Sequence, residues 1–334
     1  MKPNTEKKLN KIQSGRLEVD HISVSSRQAL EYIDGRRRGA IKSLKSGFSK
    51  LDNSLLGGIE WNRIFTIAAM SGSGKSVFLE QLKRQVLQLN DPEELDILSF
   101  EFEMPSREQV IRNLSAMMEI PVGDLLSAST SLTEERYEEV REAAKELAKL
   151  PIYSVESTGT VDQMFATILN HIEKSKKKKL IITVDHVLLT TGKQGEEERK
   201  IIAQLYRAAV NLKKLCIKRG FDILFLFLSQ LNRAIETPER VLNADLHYPT
   251  RSDLFGSSDI FMCSDYVLVI HKPAILGLDH YGKSNKTFKK GLPIQNPKDP
   301  AQAMIYFHLL KQRTGTPKVL MMVDKFQFSK IEEF

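Results

Sequence analysis

The sequence has almost no cysteine. Cys216 and Cys263 are its only two, far apart and without metal-ligand spacing. A disulfide scaffold and a cysteine-held metal module are therefore excluded, and both thiols read as reduced. Long apolar runs are missing too. None approaches the roughly 20 residues a membrane-spanning helix needs, and the opening MKPNTEKKLNKIQ lacks the apolar centre of a secretory signal. The expectation is a cytoplasmic protein without a membrane partner. No sign of charge dominates: 49 Lys and Arg against 42 Asp and Glu leave a net +7. That balance is compatible with nucleic acid but weak evidence for it. With 41% hydrophobic and 27% charged residues the composition is that of an ordinary globular chain, and 334 residues allow one large α/β domain with extensions or two small ones.

What is present is concentrated in RIFTIAAMSGSGKS, residues 63–76. Ile64 to Ala69 read as a buried parallel strand, followed at once by a Gly/Ser turn. A helix then begins whose Phe78, Leu79, Leu82 and Val86 share one face. Strand, small-residue loop, Lys-Ser and helix make the phosphate-binding loop of nucleoside triphosphatases. Ser71, Gly72, Ser73 and Gly74 would turn backbone N–H groups around phosphates, aided by the helix N-terminus. Lys75 would reach the β- and γ-phosphates of ATP and the Ser76 hydroxyl would bind Mg²⁺. Ala69 stands where the general pattern has its first glycine.

Around this motif, strands and helices alternate. Residues 1 to about 25 read as a polar arm, and residues 26–38 as a short helix with Leu30 and Ile33 on one side, too polar to persist alone. Further strands are expected at 96–102, 152–155, 180–185 and 222–228, the last apolar on both faces and so central. Helices are expected at 106–118, at 133–150 with Tyr137, Val140, Ala144 and Leu147 on one face, at 161–172 behind a Thr160–Gln163 capping box, and at 196–219. Such alternation predicts an α/β fold, a mostly parallel sheet with helices on both faces. Lys75, Glu103, Asp185 and Gln230 then gather at the strands' C-terminal ends, where an open sheet forms its ligand crevice. Asp185 ends an apolar strand and fits the carboxylate that orients Mg²⁺. Glu103 fits the base that polarises an attacking water, and the Gln230 amide could sense the γ-phosphate. Strand-terminal acids also cap turns, so each residue singly is ambiguous. Lys174 to Lys179 read as a solvated helix end. Residues 273–300, carrying Lys283, Lys286, Lys289 and Lys290, read as a basic surface loop between two strands.

Taken together, SGFSKLDNSLLGG, AAMSGSGKS, FEFEMPS, LIITVDH, FLSQLNR, PTRSDLFGSSDI and LLKQRTG resemble, in order and spacing, the RecA-like motor domain of DnaB-type replicative helicases. Alanine at position 69 is usual in that family. The resemblance spans residues 27 to 325 and implies a RecA-like P-loop NTPase: an arm and linker helix over 1–45 and a motor domain over 46–334. It implies Lys75 and Ser76 on the phosphates and Mg²⁺, Asp185 on the metal, Glu103 as catalytic base and Gln230 as sensor. Lys311 and Arg313 match the basic pair that reaches a neighbouring subunit's ATP site; without the resemblance Arg313 is one charge beside a glycine turn. It further implies a homo-oligomeric ring, expected to be a hexamer, with single-stranded DNA in its channel and a primase or helicase loader as further partner.

Two departures accompany the match. The family's N-terminal primase-contacting domain is replaced by a short arm, which would suit a phage or mobile-element replisome. In the loop expected to grip the DNA backbone, Arg251, Phe255, Gly256 and Ser257 are the candidates, but Phe255 and Gly256 stand where arginine and glutamate are common. Replicative helicase is the leading reading. A RecA-like ATPase of recombination or repair and an NTP-dependent DNA-binding scaffold or loader are the alternatives.

Overall fold

The computed structural model describes residues 19–130, 132–192, 195–284, 286–313 and 315–334. Two compact units divide the chain, one ending at Ser43 and one running from Leu44 to Phe334. The arm expected over 1–18 lies outside the described residues. In the first unit, helix α1 (Ile22–Arg37) starts four residues earlier than expected, because the His21 ring accepts the Ser23 backbone N–H at 3.2 Å and caps it. Leu30 and Ile33 are 66% and 61% exposed. Beyond the helix, Arg36 donates to the Ile41 carbonyl and the Ser43 hydroxyl, folding the chain back.

The second unit runs α2 (Ser49–Ser54), β1 (Arg63–Ala69), α3 (Lys75–Leu89), β2 (Leu95–Glu101), α4 (Ser106–Met118), α5 (Val122–Leu126) and α6 (Glu134–Leu147). Next come β3 (Ile152–Val155), α7 (Val161–Lys174), β4 (Lys179–Asp185), α8 (Glu198–Lys218), β5 (Asp222–Gln230), α9 (Pro238–Leu242), α10 (Ser257–Cys263) and β6 (Tyr266–His271). A C-terminal run of β7 (Gln295–Asn296), β8 (Asp299–Lys311), β9 (Lys318–Lys325) and β10 (Lys330–Glu333) completes it. Among the described residues ten strands join one sheet in the order β10-β9-β8-β6-β1-β5-β4-β2-β3, with β7 beside β8. From β6 to β3 every pairing is parallel; β8, β9 and β10 add an antiparallel edge.

Alternation along the central strands divides the core. Ile64 and Ala68 of β1, with Ile223, Phe225 and Phe227 of β5, face α7 and α8. Phe65, Ile67 and Ala69, with Leu224, Leu226 and Leu228, face α2 and α3. Both faces being covered, these strands are apolar along most of their length, the buried Thr66 of β1 being held by the Tyr206 and Ser264 hydroxyls. Helix α6 is peripheral: Thr133 caps it as expected, but none of its residues is buried, and Tyr137 of its expected apolar face is 52% exposed. No described helix is long and apolar enough to cross a membrane.

The stretch 273–300 is more than a surface loop. Leu278, Tyr281 and Leu292 pack with Met304, Tyr306 and Val323 in a third apolar cluster, and Val241 and Tyr248 flank it. Inside it the Tyr281 hydroxyl bridges His271 Nδ1 (2.6 Å) and His308 Nε2 (2.7 Å), all three side chains buried. Burial pulls the His271 imidazole down to about 3 and His308 well below its usual range, so both rings are neutral. A hydroxyl between two neutral imidazoles donates to one and accepts from the other. Tyr281→Phe keeps the ring but leaves both nitrogens unpaired, and should lower stability by about 1–3 kcal/mol. Denaturant unfolding monitored by circular dichroism checks this; an unchanged midpoint would show that the bridge contributes nothing.

Candidate functional site

The C-terminal ends of the parallel strands open into a cavity of about 440 Å³. Its floor is the turn between β1 and α3. Gly72 (φ 77°) and Gly74 (φ 92°) both take left-handed backbone conformations there. Gly74 is also tight: a Cβ would run into the Phe326 ring. The first turn of α3 places Lys75 and Ser76 on the cavity wall. Burial lowers the Lys75 ammonium, opposed by the charges of Asp185 and Glu103. Ser71 also lines the wall, whereas Ser73 is fully buried, its hydroxyl without a partner.

Asp185 ends β4 and is buried. Its Oδ2 accepts the Ser76 hydroxyl at 2.9 Å, while Oδ1 has no partner. Desolvation raises this carboxyl, opposed by Lys75 and by the Ser76 hydrogen bond. A serine hydroxyl and a half-free carboxylate, 2.9 Å apart beside a lysine, are a fit oxygen pair for Mg²⁺. The Asp185 backbone carbonyl accepts the N–H groups of Phe102 (2.7 Å) and Glu103 (3.3 Å). Glu103 thus stands two residues past β2 with its side chain in the cavity. Gln230, the last residue of β5, faces the same space beside Ala69.

Several lining residues escape sequence reading, four of them polar or aromatic. His186 follows Asp185, accepts the Leu188 N–H through Nδ1 (3.1 Å), and is pulled down to about 3 by burial and by Lys75. It is a neutral wall residue. Arg112 comes from α4, and Phe326 and Ser329 from the turn joining β9 to β10. Only His186 carries a signal, standing beside the strand-terminal aspartate. Phe326 arrives from the far end of the chain, which local patterning does not reveal.

The basic pair lies elsewhere. Lys311 donates to the carbonyls of Phe261 (2.5 Å) and Met262 (3.3 Å) at the end of α10. Arg313 is 57% exposed, and its Nε is 2.5 Å from Oδ1 of the buried Asp265. Neither lines the cavity of its own chain. The other candidate loop follows β5. Arg251 is exposed at the start of a 3₁₀ turn, Gly256 (φ 73°) caps α10, and Ser257 opens that helix. Phe255 and Gly256 line a second cavity of about 220 Å³ with Arg199 and Asn232. This loop is tied to the first site through backbone, because the Phe255 N–H donates to the Gln230 carbonyl at 3.2 Å.

Comparison with known proteins adds a family. A model described as the DnaB-like helicase C terminal domain matches residues 43–333. Among solved structures, one described as an ATPase domain is 19% identical with a TM-score of 0.74, covering 95% of this chain and 100% of that one. A DnaB-like replicative helicase, solved in a study of its interactions with primase, is 18% identical with a TM-score of 0.70, covering 99% of this chain and 71% of that one. At these identities the likeness establishes the fold. No curated protein matches the sequence.

The crowding at Gly74 gives a test. Gly72→Ala meets mainly backbone strain, since its nearest neighbour, Ile275, is 3.7 Å away, whereas Gly74→Ala meets strain and the Phe326 ring together. Gly74→Ala should therefore weaken ATP binding more than Gly72→Ala, and Phe326→Ala should restore part of the difference. Equilibrium titration with a fluorescent ATP analogue decides it; equal losses would refute the contact.

Proposed function

The chain belongs to the DnaB-like helicase C-terminal domain family, the ATP-hydrolysing RecA-like motors of replicative DNA helicases, and we propose that it works as a hexameric ring translocating on single-stranded DNA. DnaB-like helicases act as ring oligomers on single-stranded DNA. The observation that carries the reading is the convergence of Lys75, Ser76, Glu103 and Gln230 on one cavity, with Asp185 2.9 Å from the Ser76 hydroxyl. A scaffold that merely binds nucleotide would have no use for an exposed carboxylate held over the phosphate loop.

In this reading the backbone N–H groups of residues 71–76 and the Lys75 ammonium hold the β- and γ-phosphates. Ser76 and Asp185 would hold Mg²⁺, which when bound neutralises charge on those phosphates. Glu103 orients a water in line with the γ-phosphate and takes its proton. The Gln230 amide touches the γ-phosphate, and its backbone carbonyl leads to Phe255. The state of the nucleotide thereby reaches the loop carrying Arg251, Phe255, Gly256 and Ser257, which we assign to the DNA backbone. Residues 1–45 serve as arm and linker helix, with the exposed Leu30 and Ile33 covered by a neighbouring motor domain in the ring. A primase or loader is the further partner.

Two experiments test the assignments. Lys75→Ala should lose ATP affinity and turnover together, while Glu103→Gln should bind ATP normally and hydrolyse it very slowly, because only water activation is removed. Wild-type turnover in Glu103→Gln would sink the assignment. Arg313 is expected to act on the neighbour's site, where such a residue contributes about 10³ to 10⁵ in rate. Neither Lys75→Ala nor Arg313→Ala alone should hydrolyse ATP. Mixed rings should recover part of the activity, since a Lys75→Ala subunit still lends its Arg313 to an intact site next door. Confirmed subunit exchange with no recovery would confine Arg313 to its own chain.

A further inference from the structure

The segment 273–298 carries five lysines and one aspartate, and nothing in the ATPase reading uses it. It is a folded body. Tyr281 and Leu292 pair backbone to backbone at its base and are buried in the third apolar cluster. Its root lies beside the phosphate loop, where Ile275 approaches Gly72. At its tip, Lys286, Lys289 and Lys290 are exposed, and among the described residues none has an acidic partner. Like charges grouped without counter-ions repel one another. They are free for an external polyanion.

What lies underneath indicates which one. The Gly282 N–H donates to His247 Nδ1 at 3.0 Å, and Lys283 pairs with Asp245 at 2.6 Å. The segment is thus fastened to residues 245–247, just before the loop we assign to DNA. Arg240 completes the tie: it donates to the Leu246 and Tyr248 carbonyls (both 2.9 Å) and to the buried Asp253 carboxylate (2.5 Å). Asp253 in turn accepts the Thr250 N–H at 2.7 Å, shaping the turn that holds Arg251. Chain reach keeps Lys286 within about 35 Å of Arg251. The lysine tip and the candidate DNA loop are therefore two faces of one hydrogen-bonded block.

We propose that Lys286, Lys289 and Lys290 bind the phosphate backbone of the same single strand after it leaves the loop at 251–258, extending the site along the strand. The chemistry is that of a flexible polyphosphate: point-charge ammonium groups on long stems, tolerant of sequence and sensitive to salt. This inference rests on the assignment of the 251–258 loop to DNA, so the test separates the two.

The experiment is anisotropy titration of the full chain, with a non-hydrolysable ATP analogue, on oligothymidylates of about 10 and about 40 nucleotides. Each titration is repeated across a salt series and with a forked duplex. In the K286A/K289A/K290A variant, the log–log salt slope on the long strand should flatten by about 2, three contacts at about 0.7 each. The slope on the short strand should not change. ATPase without DNA should equal wild type, because these exposed side chains touch no part of the nucleotide site. An unchanged slope on the long strand overturns the proposal and leaves the patch to an acidic protein. A change seen only with the fork overturns it too, assigning the lysines to duplex. Arg251→Ala, run in parallel, should flatten the slope at both lengths by about 0.7. If it does nothing while the lysine variant behaves as expected, the loop assignment fails instead.

Discussion

Asp185 is the residue on which this edge of the cavity depends. Its carboxylate takes the Ser76 hydroxyl and its carbonyl takes the N–H groups of Phe102 and Glu103. One residue at the end of β4 thereby fixes both the first turn of α3 and the chain that carries Glu103. Parallel pairing makes this workable. Because β1, β5, β4 and β2 run the same way, the ends of β1 and β5 pair (Ala69 with Gln230), as do those of β2 and β4 (Glu101 with Asp185), the first pair standing two residues further along the sheet. The residues proposed as phosphate loop, metal ligand, base and sensor each follow a different strand end, and none is placed by a long loop.

On the other side of these strand ends the cavity meets the loop proposed to hold DNA. Gln230 presents an amide to the cavity and a carbonyl to Phe255, and the Asn232 N–H bonds the Asp253 carbonyl at 2.7 Å. Displacing Gln230 by even part of an ångström must disturb these bonds, since a hydrogen bond tolerates little stretch. A packed sheet transmits such a shift rather than absorbing it. The segment 273–298 is bonded to the same block through His247.

How much is legible in the sequence divides by the range of the interactions. Periodicity and caps place the helix behind Thr160, the strands at 152–155 and 222–230, and the apolar faces of α3 and α7 to within a residue or two, because those signals are local. The phosphate loop and the strand-terminal Glu103, Asp185 and Gln230 are legible because a parallel sheet gathers strand ends. The start of α1 is not, since a histidine at position 21 is no usual cap signal. The exposure of Tyr137 on the apolar face of α6 is not legible either, because periodicity marks an apolar stripe without saying what covers it. Tyr281, His271 and His308 are invisible as a group: 37 residues separate the two histidines in the chain, and only the pairing of β6 with β8 brings them to one phenol.

The clearest failure of pattern reading lies behind that edge of the cavity. Phe78, Leu79, Leu82 and Val86 of α3 form the inward face that their spacing predicts, but Lys83 is buried beside them. Its ammonium lies 2.5 Å from Glu80 and 3.3 Å from Glu101, and it donates to Ser99 at 3.1 Å. Burial pulls Lys83 down, yet the two carboxylates raise it overall, so the cation persists. With its nitrogen turned toward the acids, the Gln109 amide donates to Glu101 (2.7 Å) and Glu80 (2.8 Å), and the Ser106 hydroxyl caps Glu101 at 2.6 Å. Buried ion clusters add little net stability, because desolvation offsets attraction. Their worth is geometric: charges in a low-dielectric interior permit one arrangement and heavily disfavour others. Here that arrangement locks α3, which begins at Lys75, to the last residue of β2, two positions before Glu103. The ion cluster ties the helix behind the phosphate loop to the strand that leads to Glu103.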